Sequence, residues 1–123
     1  MSTNPRFQKL AAEAKGRIRE ITVDELTSLA ASAATKPILI DVREAEEFAV
    51  GHAAGALRLS RGTLEGKIEA MVPDAGTPVV LYCASGNRSA FAAESLQKMG
   101  YTNVASLIGG FGAWAKAGHP VET

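Results

Sequence analysis

The chain has 123 residues, which is enough for one compact domain with a hydrophobic core and too short for two ordinary ones. Its composition, 46% hydrophobic and 21% charged, is typical of a globular protein and excludes the disordered and fibrous classes. Thirteen basic residues balance thirteen acidic ones, so the net charge gives no argument for nucleic acid or a membrane surface as a partner.

The single cysteine, Cys83, excludes an intramolecular disulfide and a cysteine-based metal cluster. An unpaired thiol suits a reducing compartment. No apolar run approaches the length of a membrane span, and residues 1–10 lack the apolar stretch of a secretory signal. We therefore expect a soluble, cytoplasmic protein.

Helices and strands are predicted to alternate along the chain. Apolar residues at helical spacing over residues 5–19 make residues 1–16 a candidate helical extension, although a partly frayed terminus fits equally well. Thr22 and Glu25 form a capping-box pattern that opens a helix. Strands are predicted over residues 18–21, 37–40, 56–59, 79–82 and 104–107, and helices over 22–30, 44–50, 63–72, 89–99 and from Gly110 to near Gly118.

This alternation predicts an α/β fold in which helices cover both faces of a mostly parallel, five-stranded sheet. We see no repeat, low-complexity tract or internal linker, so residues 17–121 are expected to form a single domain.

The most informative polar residue follows the clearest strand. Ligands of such sheets bind beyond the carboxyl ends of the strands, and Cys83 lies at such an end, as does Asp41. A short loop leading into a helix presents backbone N–H groups and the positive end of the helix dipole, which favour a thiolate or an anion. Gly86 can adopt a positive φ, and Arg88 can bind oxyanions.

These surroundings are expected to lower the pKa of Cys83, so that the thiolate needs no general base. A solitary cysteine is more often a buried apolar residue than a nucleophile. Cys83, however, follows a strand and is followed by small residues, a glycine, an arginine and a helix. This context favours a nucleophilic role for Cys83.

Four motifs, in this order along the chain, resemble those of the rhodanese family. They are IDVRE followed by EF at residues 40–48, GHAAGA at 51–56, CASGNRS at 83–89, and GGFGAW followed by AGHPV at 109–121.

The resemblance implies a rhodanese-like fold and a sulfurtransferase. The Cys83 thiolate would take the outer sulfur of thiosulfate or a persulfide donor, and a second thiophile such as cyanide or a thiol would remove it. A protein thiol is a further candidate partner, and no metal or organic cofactor is implied. The resemblance also makes the active-site loop the substrate-binding segment, comprising Ala84, Ser85, Gly86, Asn87, Arg88 and Ser89.

The loop from Cys83 to Arg88 spans six residues, a length typical of sulfurtransferases in this family. Related phosphatases use seven residues, with the arginine at the position that Ser89 occupies here. The sequence therefore favours sulfur over phosphate chemistry. Some thiosulfate-active relatives carry basic residues directly after the cysteine, where this chain has Ala84 and Ser85, which leaves the donor open.

Other residues have alternative interpretations. Asp41 and Arg43 could border the pocket, but a structural brace fits this fold better. Arg61 could reach an anionic donor or could be a solvated surface residue. Ser89 could bond the thiolate, cap the helix, or do both.

Two other functions remain open. The chain could be a relay that passes a persulfide between protein partners with little small-molecule turnover. A regulatory domain without chemistry usually lacks the cysteine, which is present here.

Overall fold

The computed structural model describes residues 4–123. The helices are α1 (Pro5–Lys15), α2 (Val23–Ala30), α3 (Ala45–Val50), α4 (Leu64–Met71), α5 (Asn87–Lys98) and α6 (Gly110–Lys116), with a 3₁₀ turn at Arg61–Thr63. The strands are β1 (Arg19–Ile21), β2 (Ile38–Asp41), β3 (His52–Ala53), β4 (Leu57–Arg58), β5 (Val79–Tyr82), β6 (Val104–Leu107) and β7 (Val121–Glu122).

The main sheet has five strands in the order β1-β6-β5-β2-β4, and every pairing in it is parallel. Successive side chains of β5 point to opposite faces of this sheet. Val79 and Leu81 pack in one apolar cluster with Ile68 of α4 and Leu96 of α5. Val80 and Tyr82 pack in the other, which includes Leu26 of α2 and Trp114 of α6. The predicted α/β fold, with helices on both faces of the sheet, is confirmed.

Besides shifts of one residue at several boundaries, a shorter β4 and the 3₁₀ turn, the structure differs from the predictions in two larger features. Helix α5 begins at Asn87, two residues earlier than predicted, because Gly86 adopts a φ of 105° and caps the helix in a conformation that few other residues reach. A second, antiparallel sheet pairs His52 of β3 with Glu122 of β7, and it was not predicted. Strands of two residues are too short to show an alternating pattern.

The amino-terminal helix α1 packs against α5. Ala11 and Ala14 are buried, and the rings of Phe7 and Phe91 lie 5.8 Å apart. The division into an extension at residues 1–16 and a domain at 17–121 stays a prediction, and residues 1–3 lie outside the described part of the chain. No helix within residues 4–123 is long and apolar enough to span a membrane.

Candidate active site

The Cys83 loop lies at the carboxyl end of β5, the central strand of the main sheet. Its carbonyl groups are bound by the start of α6, where the Phe111 N–H donates to the Cys83 oxygen at 2.7 Å and the Gly112 N–H donates to the Ala84 oxygen at 3.1 Å. Gly110 makes this contact possible, because a Cβ at that position would collide with the Cys83 carbonyl. With the loop carbonyls bound on this side, its N–H groups are free to face the sulfur.

The Cys83 sulfur accepts hydrogen bonds from the loop and from α5. The Gly86 N–H donates to Sγ at 3.1 Å, and the Ser89 hydroxyl lies 3.6 Å from it. Burial raises the pKa of the Cys83 thiol, since the side chain is only 1% exposed. Hydrogen bonds from the Ser89 hydroxyl and from the N–H groups of Ser89, Gly86 and Ser85 outweigh burial, so the pKa lies below its ordinary value. A thiolate is therefore the form that this loop stabilises.

A second serine stands behind the first. The Ser106 hydroxyl on β6 lies 2.8 Å from the Ser89 hydroxyl, and both side chains are fully buried. Ser106 was missed in the sequence. The one available signal was a hydroxyl in the otherwise apolar strand VASL, whose four residues are all buried.

Arg88 lies on the first turn of α5 and forms a bidentate ion pair with Glu47 of α3. Its Nη1 and Nη2 donate to the Glu47 oxygens at 2.9 and 3.1 Å. The hydrogen bond from Arg88, together with one from the Glu44 N–H, outweighs the effect of burial and lowers the pKa of Glu47 to about 2. Arg88 was predicted to bind an oxyanion, whereas its guanidinium here faces a carboxylate of the protein itself.

Asp41 and Arg43 form a buried brace beside the loop. Arg43 Nη2 donates to Asp41 at 2.8 Å and to the Gly51 carbonyl at 2.6 Å, and its guanidinium stacks 4.5 Å from the Phe111 ring. Both side chains are at most 6% exposed. They fix α3 and α6 relative to the sheet, and neither side chain is presented to the solvent at the mouth of the loop.

Arg61 is directed to α4 and to a later turn of α5. Its two Nη atoms bond Glu65 at 2.9 Å and Ser95 at 3.2 Å. Ser95 follows Arg88 by seven residues, or about 10 Å along the helix. The hydrogen bonds of Arg61 therefore go to α4 and to the later part of α5.

The remaining predicted loop residues lie at the surface or at the start of α5. Ala84 and Ser85 are exposed, and Asn87 begins α5. Across residues 4–123, no group of three or more His, Cys, Asp and Glu side chains is arranged to hold a metal ion.

The chain is similar to known proteins over most of its length. A family model described as a rhodanese-like domain matches residues 22–117. A thiosulfate sulfurtransferase, GlpE, from Actinobacillus succinogenes is 41% identical over 86 residues, which cover 70% of this chain and 76% of that protein.

Two solved structures resemble almost the whole molecule. A protein of unknown function from Rhodopseudomonas palustris, described as a possible tyrosine phosphatase, is 36% identical with a TM-score of 0.81, covering 94% of this chain and 93% of that one. The polysulfide-sulfur transferase homodimer from Wolinella succinogenes is 26% identical with a TM-score of 0.81, covering 97% of this chain and 88% of that one.

Proposed function

Because the chain belongs to the rhodanese-like family, we propose that it is a sulfurtransferase that carries sulfane sulfur as a persulfide on Cys83. Sulfurtransferases among its relatives support sulfur transfer in general. The observation that carries the proposal is the position of Cys83 at the amino terminus of α5. Its sulfur accepts a hydrogen bond from the Gly86 N–H and lies 3.6 Å from the Ser89 hydroxyl.

The proposed reaction has two half-reactions. The Cys83 thiolate attacks the outer sulfur of a donor such as thiosulfate, a new S–S bond forms, and sulfite leaves with the electron pair of the broken S–S bond. The total charge is −3 on both sides, since a thiolate and the thiosulfate dianion give a persulfide anion and the sulfite dianion. A thiolate or cyanide then attacks the outer sulfur, and the Cys83 thiolate leaves. The loop N–H groups stabilise the anionic sulfur in both steps.

A persulfide relay is the second candidate. The two exposed side chains of the loop, Ala84 and Ser85, are both small. Small side chains at these positions leave room for a partner protein beside the loop, which supports the relay. We also propose a cytoplasmic location, which the unpaired Cys83 supports.

The fold neighbour described as a possible tyrosine phosphatase does not change this choice. The loop from Cys83 to Arg88 is one residue shorter than the phosphatase loop, and Arg88 is bound to Glu47 rather than turned into a phosphate cradle. Both features favour sulfur over phosphate as the group transferred.

The test is a thiocyanate assay on wild type and Cys83→Ser with sulfane donors and cyanide. We expect turnover by wild type only. Its double-reciprocal plots at different cyanide concentrations should be parallel, as ping-pong kinetics require. Sulfur that is accepted from a donor but passed on only to thiols would favour the relay. Equal turnover by Cys83→Ser, or no transfer from any donor by folded wild type, would overturn the proposal.

A further inference from the structure

The Arg88–Glu47 ion pair lies beside the loop that carries Cys83. Arg88 follows Cys83 by five residues, on the first turn of α5, and the negative charge of a Cys83 thiolate contributes to raising the pKa of Arg88. Both of its terminal nitrogens, however, bond the two oxygens of Glu47, and each side chain of the pair is only 35% exposed. An anion that approaches the loop therefore meets a neutralised guanidinium, not a free one.

No neighbouring cation described above compensates for this neutralisation. Arg43 is buried against Asp41 and the Gly51 carbonyl, and Arg61 is bound to Glu65 and Ser95. Further negative charge lies near the pair instead. Glu44, directly before α3, interacts with Arg88, and Glu46 is exposed on the first turn of that helix.

We propose that Glu47 is a specificity-determining residue, which masks Arg88 and makes the Cys83 site favour sulfur donors of low negative charge over the thiosulfate dianion. The favoured class is organic persulfides and thiosulfonates. This inference rests on the proposed function. All three donors react by the same balanced step, in which the Cys83 thiolate bonds to the outer sulfur. Sulfite then leaves from thiosulfate, a thiolate from an organic persulfide and a sulfinate from a thiosulfonate, in each case with the electron pair of the broken bond.

The physical reason is the repulsion between donor and site. A dianion approaching a thiolate is repelled twice as strongly as a monoanion, since Coulomb energy scales with the product of the charges. A free Arg88 would offset this repulsion, and Glu47 removes the offset. The effect of removing the Glu47 charge must therefore grow with the negative charge of the donor.

The test compares Glu47→Gln with wild type, using thiosulfate and methanethiosulfonate as dianionic and monoanionic donors. Glutamine keeps an oxygen that can accept from the Glu44 N–H, which Glu47 does at 3.1 Å, so the substitution mainly removes charge. The matched control is Glu94→Gln on α5, which removes the same charge from another Arg–Glu pair, with Arg17 at 2.9 Å. Circular dichroism establishes that each variant is folded.

We expect Glu47→Gln to raise kcat/KM for thiosulfate by about fivefold in low salt, as a unit charge within several ångströms implies. The gain should be smaller for methanethiosulfonate and should shrink in ~0.5 M salt, where charges are screened. The control should change neither donor by a comparable factor.

An unchanged or lower kcat/KM for thiosulfate in folded Glu47→Gln, or the same gain for both donors, would overturn the inference. Either result would leave the proposed function standing as long as both donors load sulfur on Cys83. Failure of all donors to load sulfur on wild type would instead overturn the proposed function itself.

Discussion

The two buried serines behind Cys83 form a chain whose hydrogen bonds depend on the charge of the sulfur. Ser106 has Ser89 as its hydroxyl partner, and Ser89 lies between Ser106 and Sγ. With a thiolate, Ser106 donates to Ser89 and Ser89 donates to Sγ, so both protons find acceptors. With a neutral thiol that donates to Ser89, three protons share two contacts, so one hydroxyl proton has no acceptor among these groups. A buried unpaired donor is costly, so the chain favours the thiolate.

Ser89→Ala is therefore expected to raise the pKa of Cys83, which lies below its ordinary value in wild type. A hydrogen bond to a charged group is worth a kilocalorie or more, which moves the midpoint upward by about one pH unit. The measurement is the rate of alkylation by iodoacetamide against pH. Since the thiolate is the reactive form, the variant should react more slowly at neutral pH.

Ser106→Ala should also raise the pH midpoint of Cys83 alkylation, but by less, because Ser106 acts through Ser89. Ser106→Thr keeps the hydroxyl and should therefore have the wild-type midpoint. A midpoint that is unchanged in folded Ser89→Ala would contradict this account of the sulfur.

Local sequence was sufficient to find the loop and insufficient to find its partners. Cys83, Gly86, Arg88 and Ser89 lie within seven consecutive residues, so their chemistry could be predicted together. Glu47 and Ser106 come from other elements, 41 and 17 residues away from the groups they bond. Contacts at such separations depend on strand order and register, which one sequence does not reveal.

Two elements, the start of α5 and the start of α6, hold the loop between them. Gly86 and Gly110 both have positive φ at these starts, and both lie against the backbone of the opposite segment. The close approach lets the α6 N–H groups bind the Cys83 and Ala84 carbonyls. The geometry at the sulfur thus depends on two glycines as much as on the polar residues.

Gly110→Ala is expected to lower the free energy of unfolding by ~2 kcal/mol or more, because an alanine would be strained at a φ of 54° and would clash with the Cys83 carbonyl. Cys83 alkylation should also slow, as the loop shifts. Chemical denaturation and alkylation kinetics measure the two effects.

Gly118→Ala is the control, since its φ of 82° brings strain but its Cβ would meet nothing within 4 Å. It should destabilise less and leave Cys83 reactivity unaltered. Equal loss of stability in both variants would mean that the close contact with the loop contributes nothing.

At the scale of elements, periodic patterns predicted the helices and the five strands of the main sheet. The boundary of α5 was wrong by two residues, because a positive φ at Gly86 lets the helix begin directly after it. The β3–β7 pair was missed, because it joins two-residue strands that are 68 to 70 residues apart in their pairings.

For the whole molecule, the alternation of strand and helix was enough to predict a parallel sheet with both faces covered. It could not give the strand order β1-β6-β5-β2-β4, which makes β5 central and delivers Cys83 to the middle of the sheet edge. This order also brings β6 beside β5, and so Ser106 behind Ser89. The fold therefore adds Glu47 and Ser106 to the loop at residues 83–89, which is the only part of the site that is continuous in the sequence.

The most direct measurement of the central claim is the intact mass of the reduced protein after incubation with a sulfane donor, beside Cys83→Ser. We expect wild type to gain the mass of one sulfur atom, cyanide or a thiol to remove it, and Cys83→Ser to gain nothing. A gain on Cys83→Ser, or no gain on folded wild type from thiosulfate, methanethiosulfonate or glutathione persulfide, would contradict it.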